Sequence, residues 1–126
     1  MIRKRCAGLA VGVILLAVSG PVLAHHSTVN FDREKQITLQ GTVTDFKLLN
    51  PHPAVYFQVK DEAGNVVDWI AGSASPPARW YNSGWRANAL KPGDAITITG
   101  NPSKDGQKVL RILKIVKSSG QEWTED

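Results

Sequence analysis

The chain has 126 residues, with 15 Lys+Arg, 11 Asp+Glu, one Cys and one Met, and 42% of its residues are apolar. That length bounds it to one domain, and the apolar and aromatic content excludes a disordered tail protein. No apolar run approaches the roughly 18–20 residues that a membrane-spanning helix needs.

The first segment sets the expected compartment. Arg3, Lys4 and Arg5 form a positive flank, residues 7–18 are apolar over the length of a signal peptide, and Gly20-Pro21 breaks the helix. Val22-Leu23-Ala24 puts small or modest side chains at the positions a signal peptidase reads, so residues 1–24 are expected to be a signal peptide. An uncleaved anchor is the alternative. Cys6 precedes the apolar stretch rather than following it, which argues against lipid attachment. Removal of 24 residues leaves a single domain of 102, residues 25–126, with 12 basic against 11 acidic side chains. Such a product is periplasmic or secreted, nearly neutral and free of sulfur. Disulfides, thiolate catalysis, Fe–S ligation and soft Cu(I) sites are thereby excluded, and any metal must be held by N and O ligands. The near-neutral charge also argues against a nucleic-acid partner, despite the cationic and aromatic set Arg79, Trp80, Tyr81, Trp85 and Arg86.

The rest of the chain has the pattern of strands. Residues 36–48 are rich in Ile, Thr, Val and Phe, and the apolar parity changes between Ile37, Leu39, Val43 and Phe46, Leu48. That switch predicts a long bent strand with a bulge at Gly41 or just after it. Asn50-Pro51-His52-Pro53 is a loop, because two prolines remove donors and restrict their predecessors. Residues 54–60 alternate as a half-buried strand, residues 61–65 are a hairpin turn and residues 66–71 the returning strand. Ser75 before Pro76-Pro77 predicts an N-cap and a short helix over residues 78–83, ended by Gly84. After the turn at residues 91–94 come a strand at residues 95–100, a second hairpin loop and a bulged strand over residues 108–117. The series Lys108, Arg111, Lys114 and Lys117 fits the solvated side of an edge strand. Trp69 is expected in the core and Trp123, in the polar tail, only loosely packed. This order predicts an all-β, five-stranded OB-type barrel with one short helix between strands 3 and 4; an SH3-like barrel and a small β-sandwich are the alternatives.

Three histidines carry the sharpest chemistry. Cleavage after Ala24 would give His25 a free α-amine, and that amine with the His25 ring closes a chelate on one metal ion. One more imidazole completes the three-nitrogen set suited to tetragonal Cu(II). His52 is the natural third ligand, since Pro51 and Pro53 stiffen its loop, and His26 stands beside His25. Cleavage one residue earlier would put His26 third from the amine, another strong Cu(II) chelate. Zinc is the alternative metal, with Asp32 or Asp45 as a fourth ligand, and solvated histidines holding no metal are the plain alternative. Ser27, Asp45 and His52 supply the letters of a hydrolytic triad without a nucleophile elbow or oxyanion loop, so no catalytic residue is assigned.

His25-His26-Ser27, Phe31-Asp32, Gly41-Thr42-Val43, Asn50-Pro51-His52, Trp69, Gly84-Trp85, Leu90-Lys91-Pro92-Gly93-Asp94 and Ile98-Thr99-Gly100 together resemble a group of small exported bacterial proteins. That group is a family of unknown function with an Ala-His-His-Ser start and an Asn-Pro-His loop. The resemblance implies an exported β-rich domain and marks His25, His26 and His52 as positions to test; it implies no reaction. Pro76-Pro77 departs from the Pro-Asn and the more leucine-rich helix that the group would place there. Two roles stand against each other: a periplasmic domain carrying Cu(II) or a similar divalent ion, and a metal-independent accessory domain binding a peptide, glycan or envelope protein. A copper oxygenase on the same nitrogens lacks the extended substrate surface it would need.

Overall fold

The long first strand forms as β1 (Ile37–Lys47) in the computed structural model, which describes residues 29–125. The expected signal segment, His25 and His26 lie outside the described residues. β1 serves two partners in turn. Its first half, residues 37–42, runs antiparallel to β4 (Ala95–Pro102), and its second half, residues 42–47, antiparallel to β2 (Ala54–Lys60). The expected parity switch is real but sits at Thr44, the extra residue between the Val43↔Phe57 and Asp45↔Tyr56 pairs. Gly41 answers a different need. A Cβ there would lie 2.7 Å from the Gln58 carbonyl oxygen and 2.8 Å from Phe57, so only glycine lets β1 pass that close beneath β2.

β2 pairs along its whole length with β3 (Val66–Gly72) through the expected Asp61–Asn65 turn, where Gly64 has φ 83°. β5 (Val109–Lys117) pairs antiparallel with β4 and, at Val109–Arg111, parallel with Ile70–Gly72 of β3. The ring β1–β2–β3–β5–β4 is therefore closed, which sets aside the sandwich and is the strand order of a five-stranded OB-type barrel. Its helix, α1 (Pro77–Asn82), lies between β3 and β4 as expected.

Three local expectations are corrected. Ser75 does not cap α1: Pro76 holds the N-cap position without a side-chain hydrogen bond, and the Ser75 hydroxyl donates to Glu125 Oε1 at 2.7 Å. β5 is not an edge strand, because closure of the ring and a sixth strand, β6 (Glu122–Thr124), cover both of its sides. Its cations are correspondingly engaged. Lys108 and Lys117 stand over the Trp69 and Trp85 rings, and Lys114 pairs with Glu122 at 3.1 Å. Trp123 is not loosely packed either: it is 2% exposed and stacks on Trp80, with ring centroids 3.8 Å apart.

The core follows from the strand alternation. Val43, Val55, Phe57, Ile96, Ile98, Leu110, Ile112 and Ile115 point inward, and Trp80 and Trp85 close the α1 side with ring centroids 5.6 Å apart. Fully burying a side chain of this size contributes roughly 1.5–3 kcal/mol, so the strands and the aromatic cap together hold the barrel.

Candidate functional site

His52 sits in the connection between β1 and β2, after a cis Asn50–Pro51 peptide, and its side chain is exposed. The residue after it anchors the loop: Pro53 is buried, and its carbonyl accepts the Ser73 N–H at 2.9 Å. His52 borders a groove of about 470 Å³ that runs over the β3–β5 junction. The closing pair builds the floor, because Ile70 lies opposite Val109 and Gly72 opposite Arg111. The chain before β1 builds the wall. Phe31 bridges to Ser103, Asp32 N–H donates to the Pro102 carbonyl at 2.9 Å, and Lys104 N–H donates to the Asn30 carbonyl at 2.8 Å. Held in this way, Val29, Phe31 and Arg33 face the same groove as His52.

The groove is apolar along its length and cationic at its margins. Val29, Phe31, Ile70 and Val109 give it an apolar lining, and Ile70 is 41% exposed there. Arg33 and Arg111 add two guanidinium groups, and no Asp or Glu lines the groove among the described residues. Arg111 is aimed by its surroundings: its Nη1 donates to Asn101 Oδ1 at 3.3 Å, and buried Asn101 is itself fixed by donating Nδ2–H to the Lys35 carbonyl at 2.8 Å.

Of the expected ligands, only His52 falls within the described residues; His25 and His26 do not, and neither does Ser27. The two carboxylates considered for zinc are elsewhere. Asp32 Oδ1 accepts the Glu34 N–H at 3.2 Å, Asp45 stands 3.7 Å from the Lys47 ammonium, and neither lines the His52 groove. Among the described residues no three His, Cys, Asp or Glu side chains gather to hold a metal ion. Trp69 is half-buried and stacks on Phe57 at 6.4 Å, a packing role as expected. The cationic aromatic set around α1 forms no platform, since Trp80 and Trp85 are buried and Tyr81 is the only exposed aromatic of the set, with Arg86 5.4 Å from its ring.

Arg33, Arg111 and Ile70 were not singled out as site residues by the sequence. Arg111 reads in the sequence as one of the four cations on the solvated side of a strand, and Arg33 carries no signal, because its place depends on the bridge between Phe31 and Ser103.

A closed OB-type barrel, with a groove over its closing strand pair and an exposed histidine at the rim, defines the architecture of the domain. The chain belongs to a family of unknown function, DUF6152, which it matches over residues 12–110. Among solved structures it is similar to a tRNA fluorescent labeling enzyme, at 18% identity and TM-score 0.44 over 68% of this chain and 18% of that one. It is likewise similar to the ZRD-deleted mutant of TiaS in complex with agmatine, at 19% identity and TM-score 0.44 over 68% of this chain and 21% of that one. The TiaS–tRNA(Ile2)–ATP complex matches at 17% identity and TM-score 0.45 over 74% of this chain and 20% of that one. The chain thus spans about a fifth of the length of these proteins. No curated protein matches it.

Proposed function

We propose that the protein is a small exported binding domain that takes up a divalent metal ion, Cu(II) in particular, at His25 and His52 with His26 beside them. The observation that supports this is the course of the chain: Val29 lines the groove that His52 borders, four residues after His25. Four residues of extended chain span at most roughly 13–14 Å, a reach that permits an amine at His25 to meet the groove that Val29 lines. Signal cleavage after Ala24 supplies that amine, the His25 ring supplies a second nitrogen, and the His52 ring a third, a set that suits the tetragonal preference of Cu(II). His52 is exposed at the groove rim, which leaves its ring accessible to a metal. The role is carriage or buffering in the periplasm rather than catalysis.

The test begins with the intact mass of the exported product, which should correspond to a chain starting at His25. Titration of that product with Cu(II), followed by EPR, should then give one nitrogen-rich site that His25→Ala and His52→Ala each weaken by at least about tenfold. A product beginning elsewhere removes the amine from the argument. A site that survives both substitutions removes the assignment altogether.

A further inference from the structure

We propose that the groove over the β3–β5 junction binds a small amphipathic acid: an apolar body lying along Phe31, Ile70 and Val109, with its carboxylate held between Arg33 and Arg111. This stands independently of the metal reading. The first support is charge. Arg33 and Arg111 both line the groove, neither forms an ion pair among the described residues, and the Arg111 guanidinium donates to the neutral oxygen of Asn101. A guanidinium presents a planar fork of donors that matches a carboxylate in two parallel hydrogen bonds, and such charge-assisted bonds are about twice as strong as neutral ones. The second support is the lining between the cations. Ile70 is an exposed large apolar side chain set opposite Val109, surface that an apolar ligand body removes from water.

The backbone selects a small molecule over an extended peptide. Ile70–Gly72 already pair with β2 on one side and β5 on the other, so the floor offers no free strand edge to which a peptide could add. Recognition must come from side chains. A volume of about 470 Å³ falls within the range of small-molecule sites.

The experiment titrates the exported protein with phenylbutyrate, and with phenylbutyramide as its neutral counterpart, by calorimetry in the presence of EDTA. Saturable binding of the acid is expected, with the amide at least about tenfold weaker. The double variant Arg33→Gln/Arg111→Gln should lose at least about tenfold in affinity for the acid. Ile70→Glu, a substitution at an exposed position that folding should tolerate, should abolish binding by placing a carboxylate in the groove. Equal binding of acid and amide, or unchanged affinity in the double variant, would overturn the proposal. So would acid binding that disappears with EDTA, since the carboxylate would then be a metal ligand rather than a guanidinium partner. Failure of the Cu(II) titration leaves these outcomes unaffected.

Discussion

Two sides of the molecule meet at Ser73, and they treat their polar groups in opposite ways. On the α1 side, Trp80 is fully buried and stacks on Trp123, and the Phe46 and Trp85 ring centroids each lie 5.6 Å from its own; its Nε1–H donates to Ser73 Oγ at 3.1 Å. The Ser73 hydroxyl in turn donates to Glu125 Oε2 at 2.9 Å, Ser75 donates to Oε1, and the Arg79 guanidinium donates to the Thr124 carbonyl. On the groove side, Arg33, Arg111 and exposed His52 border apolar surface without a carboxylate among the described residues that line it. Donors matched to acceptors around packed indoles contribute stability, and Trp123 Nε1 is the one buried side-chain donor among the described residues left without a partner there. Cations beside apolar surface with no carboxylate partner among the described residues contribute little to stability.

The comparison breaks most readily at Trp80. Trp80→Ala should cost about 3–5 kcal/mol, read as a fall in the urea midpoint, because it empties the centre of the aromatic cap. A cost below about 1 kcal/mol would mean that the cap does not hold the fold. Glu125→Ala should come next, at about 1–3 kcal/mol, since Ser73 and Ser75 both lose their acceptor, and of the groove lining only Ser73 loses a hydrogen bond. His52→Ala, on the other side, should move the urea midpoint by no more than about 0.5 kcal/mol while weakening Cu(II) binding. A large stability loss there would merge the two sides into one.

The two sides were also unequally legible in the sequence. Alternation in β2 and β3, the Gly64 turn and the place of α1 could be read directly, because each depends on neighbours a few residues apart. The β1 bulge was visible as a parity switch, yet its position at Thr44 rather than Gly41 depends on how β2 lies across the strand. β6 leaves little trace in the sequence because a three-residue strand in a polar tail has little periodicity, and what fixes it is the stack of Trp123 on Trp80, 43 residues away in sequence. Ser75 before two prolines reads as a cap until Glu125, 50 residues on, competes for its hydroxyl. The groove was the least legible of all. Only the parallel closure of β3 on β5 places Ile70 opposite Val109 and Gly72 opposite Arg111. His52 alone announced itself, through the prolines that flank it.

The smallest expected effect concerns the loop between β4 and β5, which supports the groove wall. The Ser103 hydroxyl hydrogen-bonds the Asp105 carboxylate, the Gln107 N–H donates to it at 3.2 Å and the Gln107 side chain at 2.6 Å. The Ser103 bond foremost, then the Gln107 N–H, holds the Asp105 carboxyl below the usual aspartate range. A carboxyl depressed in the folded state stabilises the fold above its unfolded pKa, about 3.9, and that contribution is lost as pH falls through the folded value. Asp105→Asn should therefore flatten the acid limb of stability below about pH 4, measured as urea midpoint against pH. Asp61 is the control. Its carboxyl is depressed in the same direction, chiefly by the Asn65 N–H, in the β2–β3 turn. Asp61→Asn should flatten the acid limb as well, yet only Asp105→Asn should also weaken phenylbutyrate binding at neutral pH. Ser103, the partner of Asp105, carries the bridge to Phe31, whereas the Asp61 turn contributes nothing to the groove lining. Equal effects of the two variants on binding would show that the loop does not hold the wall.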